Sequence, residues 1–283
     1  MIEIKNLTYV SLSEMTTVFN EAFADYIMKF TATEEYLENR WDAAGVDFSL
    51  SFGVFSGDQL VGFIIHAIGE WNGKLTAFNV GTGVVPKFRG QRLVKKLYEH
   101  ANPLLIKNNI KQCRLEVIQG NEKAIKAYQS VGFIIERDLI CYNLKLENNK
   151  DNNRTFTNIF RMNSLNEVIW DELENYWEFL PSWENSNICL KRNKGLEFVK
   201  LQDKGKIVAY AIINPVRGNI AQFGVLKEER RKGYGKKLFR YLKSLSNQLV
   251  ILNIDSKAHE TIEFLERRGF KKLISQHEMQ MGL

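Results

Sequence analysis

The chain has 283 residues, 45% of them hydrophobic and 25% charged, with a formal net charge of +6. That length holds about two domains at ~100–200 residues each, with apolar content enough for ordinary cores. No apolar run approaches the ~20 residues that span a bilayer, which excludes a helical membrane protein and leaves no membrane partner expected.

In chain order, residues 2–10 alternate apolar and polar and predict a strand. Apolar residues at helical spacing predict a helix over 11–26, capped by Ser11 or Ser13, and a second over 33–44 opened by Thr33. Residues 50–55 and 60–68 read as strands joined through Ser56, Gly57 and Asp58, which is turn chemistry. A third strand is expected at 75–85, a helix at 93–108, a buried-type strand at 112–118, a helix at 123–131 and a closing strand at 133–146. The polar, Asn-rich residues 146–155 predict a linker. The order then repeats: a strand at 155–162, a helix at 165–179, a loop or short helix at 180–187, and strands at 196–201, 207–213 and 220–226. A helix from Gly235, a strand at 249–255, a helix at 261–268 and a closing strand near 271–281 complete it. Two copies at long period mean a duplication, with domains at 1–148 and 155–283. Each copy is an α/β unit with a mixed sheet.

The charge is unevenly placed. Lys87, Arg89, Arg92, Lys95, Lys96, Lys107 and Lys111 face one acid, Glu99, and a second basic cluster runs from Lys227 to Lys243. Both coincide with glycine-bearing turns that open helices. Helix starts hold unpaired N–H groups and the positive end of the dipole, so they suit a diphosphate. An anionic cofactor is therefore expected, rather than nucleic acid. Glu14, Glu21, Asp25, Glu34, Glu35, Glu38, Asp42 and Asp47 oppose only Lys29 and Arg40. That acidity fits either a cationic acceptor or the solvated faces of two helices. Cys113, Cys141 and Cys189 form no Cys-x-x-Cys pair, which predicts reduced thiols and a cytoplasmic protein. Residues 1–10 lack the pattern of a secretory leader. His66, His100, His259 and His277 have no zinc spacing, so no metal is expected.

The stretch from Asn121 to Phe133 is the most informative. Asn121 can cap a helix, Tyr128 lies about two turns on at ~3.6 residues per turn, and Gly132 can end the helix before Phe133 starts a strand. A phenol so placed can return a proton to a leaving thiolate. Upstream, Gly83 to Leu97 reads GVVPKFRGQRLVKKL. These two stretches resemble the two signatures of the GCN5-related N-acetyltransferase (GNAT) superfamily. Weaker copies follow at 223–238 and 259–270, so the whole chain resembles a tandem of two such folds.

The resemblance implies acetyl-CoA as cofactor and direct acetyl transfer to an amine. It implies a cofactor site at Val84, Val85, Arg89, Gly90, Gln91, Arg92, Leu93, Val94, Lys95 and Asn121 in the first half. In the second half it implies Val225, Arg230, Gly233, Tyr234, Gly235 and Lys236. It also implies Glu116 as general base and Tyr128 as general acid, by likeness to the family's ribosomal-protein N-terminal acetyltransferases. Arg92 and Val94 depart from the family's glycines. Aligning Gly132 with Gly269 sets Asn253, Ala258 and Leu265 against Glu116, Asn121 and Tyr128. The first half is thus expected to be the catalyst and the second a degenerate copy with an intact phosphate turn. A non-catalytic acyl-CoA sensor is the alternative, and a catalytic second half a third. The acceptor, a small molecule or a peptide amine, is open, as is the choice between monomer and homodimer.

Overall fold

Alternating strands and capped helices settle into two compact units in the computed structural model, which describes residues 2–27, 30–146 and 156–283. The expected linker, 146–155, lies outside those residues apart from Leu146. The first part of the chain contains β1 (Ile2–Asn6), α1 (Leu12–Ala22), α2 (Glu34–Ala44), β2 (Phe52–Ser56), β3 (Gln59–Trp71) and β4 (Lys74–Val84). Then come α3 (Leu93–Lys107), β5 (Gln112–Ile118), α4 (Glu122–Gln129) and β6 (Ile134–Lys145). The second part holds β7 (Ile159–Met162), α5 (Asn187–Arg192), β8 (Glu197–Asp203), β9 (Lys206–Asn214) and β10 (Asn219–Val225). It ends with α6 (Tyr234–Leu245), β11 (Gln248–Asp255), α7 (His259–Arg267) and β12 (Lys271–Gly282).

The expected caps form. Ser11 Oγ accepts from Glu14 N at 3.1 Å, Thr33 Oγ1 from Tyr36 N at 3.1 Å, and Asn121 Oδ1 from Ala124 N at 3.2 Å. The expected strand 2–10 stops at Asn6, because the Leu7 N–H turns to Phe48 O and Ser51 O. The helix expected at 165–179 is absent. Only a 3-10 stretch, Trp170–Asn175, forms there. Tyr176 and Trp177 instead donate to Ile207 O at 2.8 Å and Tyr210 OH at 2.7 Å, a commitment to β9 that a regular helix would break.

The first unit comprises the described residues up to Arg137 together with His277–Leu283. Its strand order is β1-β2-β3-β4-β5 with β12 beside β5. Cys113, Leu115 and Val117 of β5 pack in one core with Leu97, Tyr98 and Ala101 of α3, Ile125 and Tyr128 of α4, and Met279 and Met281 of β12. The second unit is Asp138–Gln276, with order β6-β11-β10-β9-β8-β7. Leu139 to Lys145 of β6 pair antiparallel with Asp255 to Gln248 of β11. The two closing strands are therefore exchanged. The strand expected to complete the first half lines up with the second half's sheet, and the last strand of the chain completes the first unit.

Candidate active site

In the first unit β4 and β5 run parallel and pair only from Thr76↔Gln112 to Asn79↔Leu115. The split has a cause in β4. Its register against β3 shifts between Ile65↔Gly81 and His66↔Asn79, so Val80 is the extra residue of a bulge. A bulge sharpens the local twist, and β4 leaves β5 at that point. Among the described residues no strand then pairs with the β4 edge from Gly81 to Val84 on that flank, which suits an extended amide arm.

The helix start lies at the open end of this gap. Arg92 caps α3 in the left-handed conformation, φ 57°, with no side-chain cap. The first helical bond from that turn runs from Lys96 N to Arg92 O at 3.1 Å, so the N–H groups of Leu93, Val94 and Lys95 are the free donors of the helix start. A groove of about 990 Å³ joins these parts. It is lined by Thr82 and Val84 of β4, by Arg89, Gly90, Arg92, Leu93, Val94 and Lys95 of the turn, and by Asn121 and Tyr128 of α4.

Not every expected cofactor residue is placed as a ligand. Arg89 borders the groove, but its guanidinium is a strut. It donates to Val84 O, Ala22 O and both carboxylate oxygens of Asp25, at 2.6–3.0 Å. That bond and charge hold the Asp25 carboxyl below its ordinary range. Val85 is buried and, like Gln91, does not border the groove. Val85 fixes the turn through its N–H to Val61 O.

Tyr128 is buried beneath the groove. Burial raises its phenol to about 12, opposed by the neighbouring polar side chains of Thr82 and Asn79. At neutral pH such a phenol stays protonated and can donate. A second phenol, Tyr26, also borders the groove, as Asn121 does, and burial raises it above its ordinary value. Sequence reasoning missed it, because it follows α1 and comes to the groove only through tertiary packing. Glu116 sits elsewhere. Strand alternation sets it on the face of β5 opposite Leu115 and Val117, beyond the last β4–β5 pair and outside the groove. Arg114, two residues earlier on that face, is buried against Glu136 and Glu278 and lies over the Trp71 ring at 5.3 Å. Tyr128 and Glu116 thus address the β4–β5 gap from opposite faces of the sheet.

The second unit repeats the architecture. β10 and β11 pair only at Asn219↔Val250 and Ile220↔Ile251, and β10 also carries a register shift. Arg230 again ties the strand end to the preceding segment, through Val225 O at 3.4 Å and Tyr176 O at 3.2 Å. Val225, Arg230, Gly233, Tyr234, Gly235 and Lys236 border a smaller groove of about 310 Å³. Here the gap is crossed. Asn185 Nδ2 donates to Leu252 O of β11 at 3.3 Å, and its own carbonyl accepts from Gln222 Nε2 of β10 at 2.7 Å. The chain's own backbone segment bridges the two strands where the first unit leaves them apart. Among the described residues no His, Cys, Asp and Glu cluster could hold a metal.

The acetyltransferase (GNAT) family matches residues 15–133 and 162–270. Comparison with curated proteins finds no match. Among solved structures, a GCN5-related N-acetyltransferase from Sphaerobacter thermophilus superposes with a TM-score of 0.72 at 13% identity, over 99% of this chain and 95% of that one. A putative acetyltransferase from Pyrococcus horikoshii gives 0.69 at 14%, over 100% and 89%. A tandem GNAT protein from the clavulanic acid biosynthesis pathway gives 0.69 at 13%, over 100% and 98%. At these identities the likeness is one of fold. Matched in sequence once in each half and in fold from end to end, the chain belongs to the GNAT acetyltransferase family, as two copies of its mixed α/β fold in tandem.

Proposed function

We propose that this protein transfers an acetyl group from acetyl-CoA to a primary amine, and that the first half, 1–148, is the catalyst. One observation carries this reading: a free helix start, a split strand pair and a buried phenol border the same groove in the first unit. Acetyl-CoA supplies the thioester. The N–H groups of Leu93, Val94 and Lys95 would hold its diphosphate, with Arg92 adding charge. The free edge of β4 at Gly81 to Val84 would receive its amide arm. Glu116, on the far face, takes a proton from the incoming ammonium, so the amine approaches from that side of the sheet. Tyr128 holds a proton for the leaving sulfur on the groove side.

Tyr128→Phe tests the acid role. We expect turnover to fall about 10²-fold or more, the span of general acid catalysis, with little change in the KM for acetyl-CoA. Free thiol release with a panel of amines measures it, and undiminished turnover would remove the role.

For the second half we favour binding without transfer. Asn185 blocks the gap through which a thioester would meet an acceptor, and Leu265 stands where Tyr128 does in the first half. The phosphate turn and the groove beside it remain. Such a site would hold CoA, or an acyl relative, as a ligand. The absence of any helix able to cross a membrane among the described residues fits the cytoplasmic location we propose.

A further inference from the structure

The bridge across the gap of the second groove is anchored from β9, β10 and β11 together. Trp177 Nε1 donates to Tyr210 OH of β9 at 2.7 Å, and that hydroxyl donates to Gln222 Oε1 of β10 at 3.1 Å. The second bond orients the Gln222 amide, whose nitrogen donates to Asn185 O at 2.7 Å and to Asn187 Oδ1 at 3.0 Å. From β11, Leu252 O accepts from Asn185 Nδ2 at 3.3 Å, and Asn253 Nδ2 donates to Ser182 Oγ at 3.1 Å. Asn253 is left-handed, φ 63°, where the register of β11 against β6 shifts, and its Oδ1 accepts from Gln276 Nε2 at 2.7 Å. Ser182, Tyr210, Gln222 and Asn253 are all buried. Buried polar groups satisfied in this way hold the segment Ser182–Asn187 in one place.

The bridge is also a wall. Asn185, Gln222 and Asn253 border the groove of about 310 Å³, with the phosphate turn. The first helical bond of that turn runs from Lys237 N to Gly233 O at 3.0 Å, so the N–H groups of Tyr234, Gly235 and Lys236 are its free donors. A CoA molecule with its diphosphate on those donors and its amide arm along β10 meets the bridge where β10 and β11 part. The first groove, of about 990 Å³, has no such bridge among its lining residues.

We propose that the second groove selects free CoA over acetyl-CoA. The proposal rests on the reading of the second half as a CoA site. Free CoA ends at its sulfur and can stop short of the bridge. Acetyl-CoA carries an acetyl group beyond the sulfur, and that group has to enter the bridged gap. Room for it comes only by parting Asn185 from Leu252 O or from the Gln222 amide. A thioester oxygen accepts and never donates, so it offers nothing to Leu252 O in exchange. The loss of such bonds weakens binding by about tenfold or more. The second groove is thus a site for the product of transfer and not for its donor.

Calorimetry on the full-length protein, without an amine, compares the two ligands directly. We expect a second equivalent with CoA that acetyl-CoA fills at least about tenfold more weakly. Gly235→Leu should remove the second equivalent of CoA and leave the stronger acetyl-CoA site as it was, which assigns the selective site. Asn185→Ala removes the side-chain half of the bridge and should narrow the difference between the ligands by about tenfold. Equal filling of the second site by both ligands in the wild-type protein overturns the selectivity, and that comparison needs no variant to fold. A single equivalent of each ligand, unmoved by Gly235→Leu, overturns instead the reading of the second half as a CoA site. A difference that survives Asn185→Ala in protein with a wild-type melting temperature overturns the bridge as its cause.

Discussion

Arg92 and Gly233 hold equivalent positions, one residue before α3 and one before α6, and both have left-handed backbone, φ 57° and φ 90°. Two residues upstream the choice is reversed: Gly90 has φ 78° and Arg231 φ 64°. Each turn thus needs two such residues, and each half places glycine at one of them. The left-handed region costs a residue with a Cβ about 1–2 kcal/mol. Gly233→Ala should therefore destabilise the second unit by about that much, since no atom lies within 4 Å of the added Cβ to contribute a clash. Arg92→Gly should gain less, up to about 1 kcal/mol, because glycine also loses more chain entropy on folding. Urea midpoints for the two variants check the pair, and a wild-type midpoint for Gly233→Ala would contradict the strain argument. The signal for these turns was legible as glycine spacing. That Arg89 is a strut was not, because Asp25 and Ala22, its partners, lie more than sixty residues away in the chain.

At the scale of elements the closing strands decide which core each half completes. Met279 and Met281 are buried in the first unit's core, and Glu278, wholly buried there, pairs with Arg114 and Arg137. Deleting 277–283 would remove two core side chains, each worth about 2–5 kcal/mol, and leave two buried cations without that carboxylate. We expect hydrogen exchange to accelerate across α3 and β5 while β9 and α6 keep their protection. Equal loss in both halves would contradict the unit assignment. The same exchange means that a fragment starting near residue 155 lacks β6, so the second half is best studied within the full chain.

At the scale of the molecule, two grooves of one family fold differ in what they leave open. The first has a free strand edge with Tyr128 bordering it, and the second has a bridged gap with Leu265 at the position that aligns with Tyr128. If only the first transfers, blocking the second leaves turnover intact. A Cβ at Gly235 would already meet Phe264 at 3.3 Å and Val225 at 3.5 Å, so Gly235→Leu should fill that groove. We expect unchanged thiol release and, by calorimetry with CoA, the loss of at most the second equivalent. A loss of turnover matching that of Tyr128→Phe would transfer the chemistry to the second half.

Local chemistry alone determined the two family signatures, the caps at Ser11, Thr33 and Asn121, and the place of Tyr128 two turns along the helix that Asn121 caps. Those features depend on residues within two or three turns of one another, and short-range spacing records them directly. Tertiary structure decided which strand closes each core, because β6 and β12 are similar edge partners and only packing chooses between them. It also decided that Asn185 spans one gap and that Tyr26, Asn121 and Tyr128 border one groove. Each of these depends on contacts between segments distant in the chain, for which no spacing pattern exists to be read.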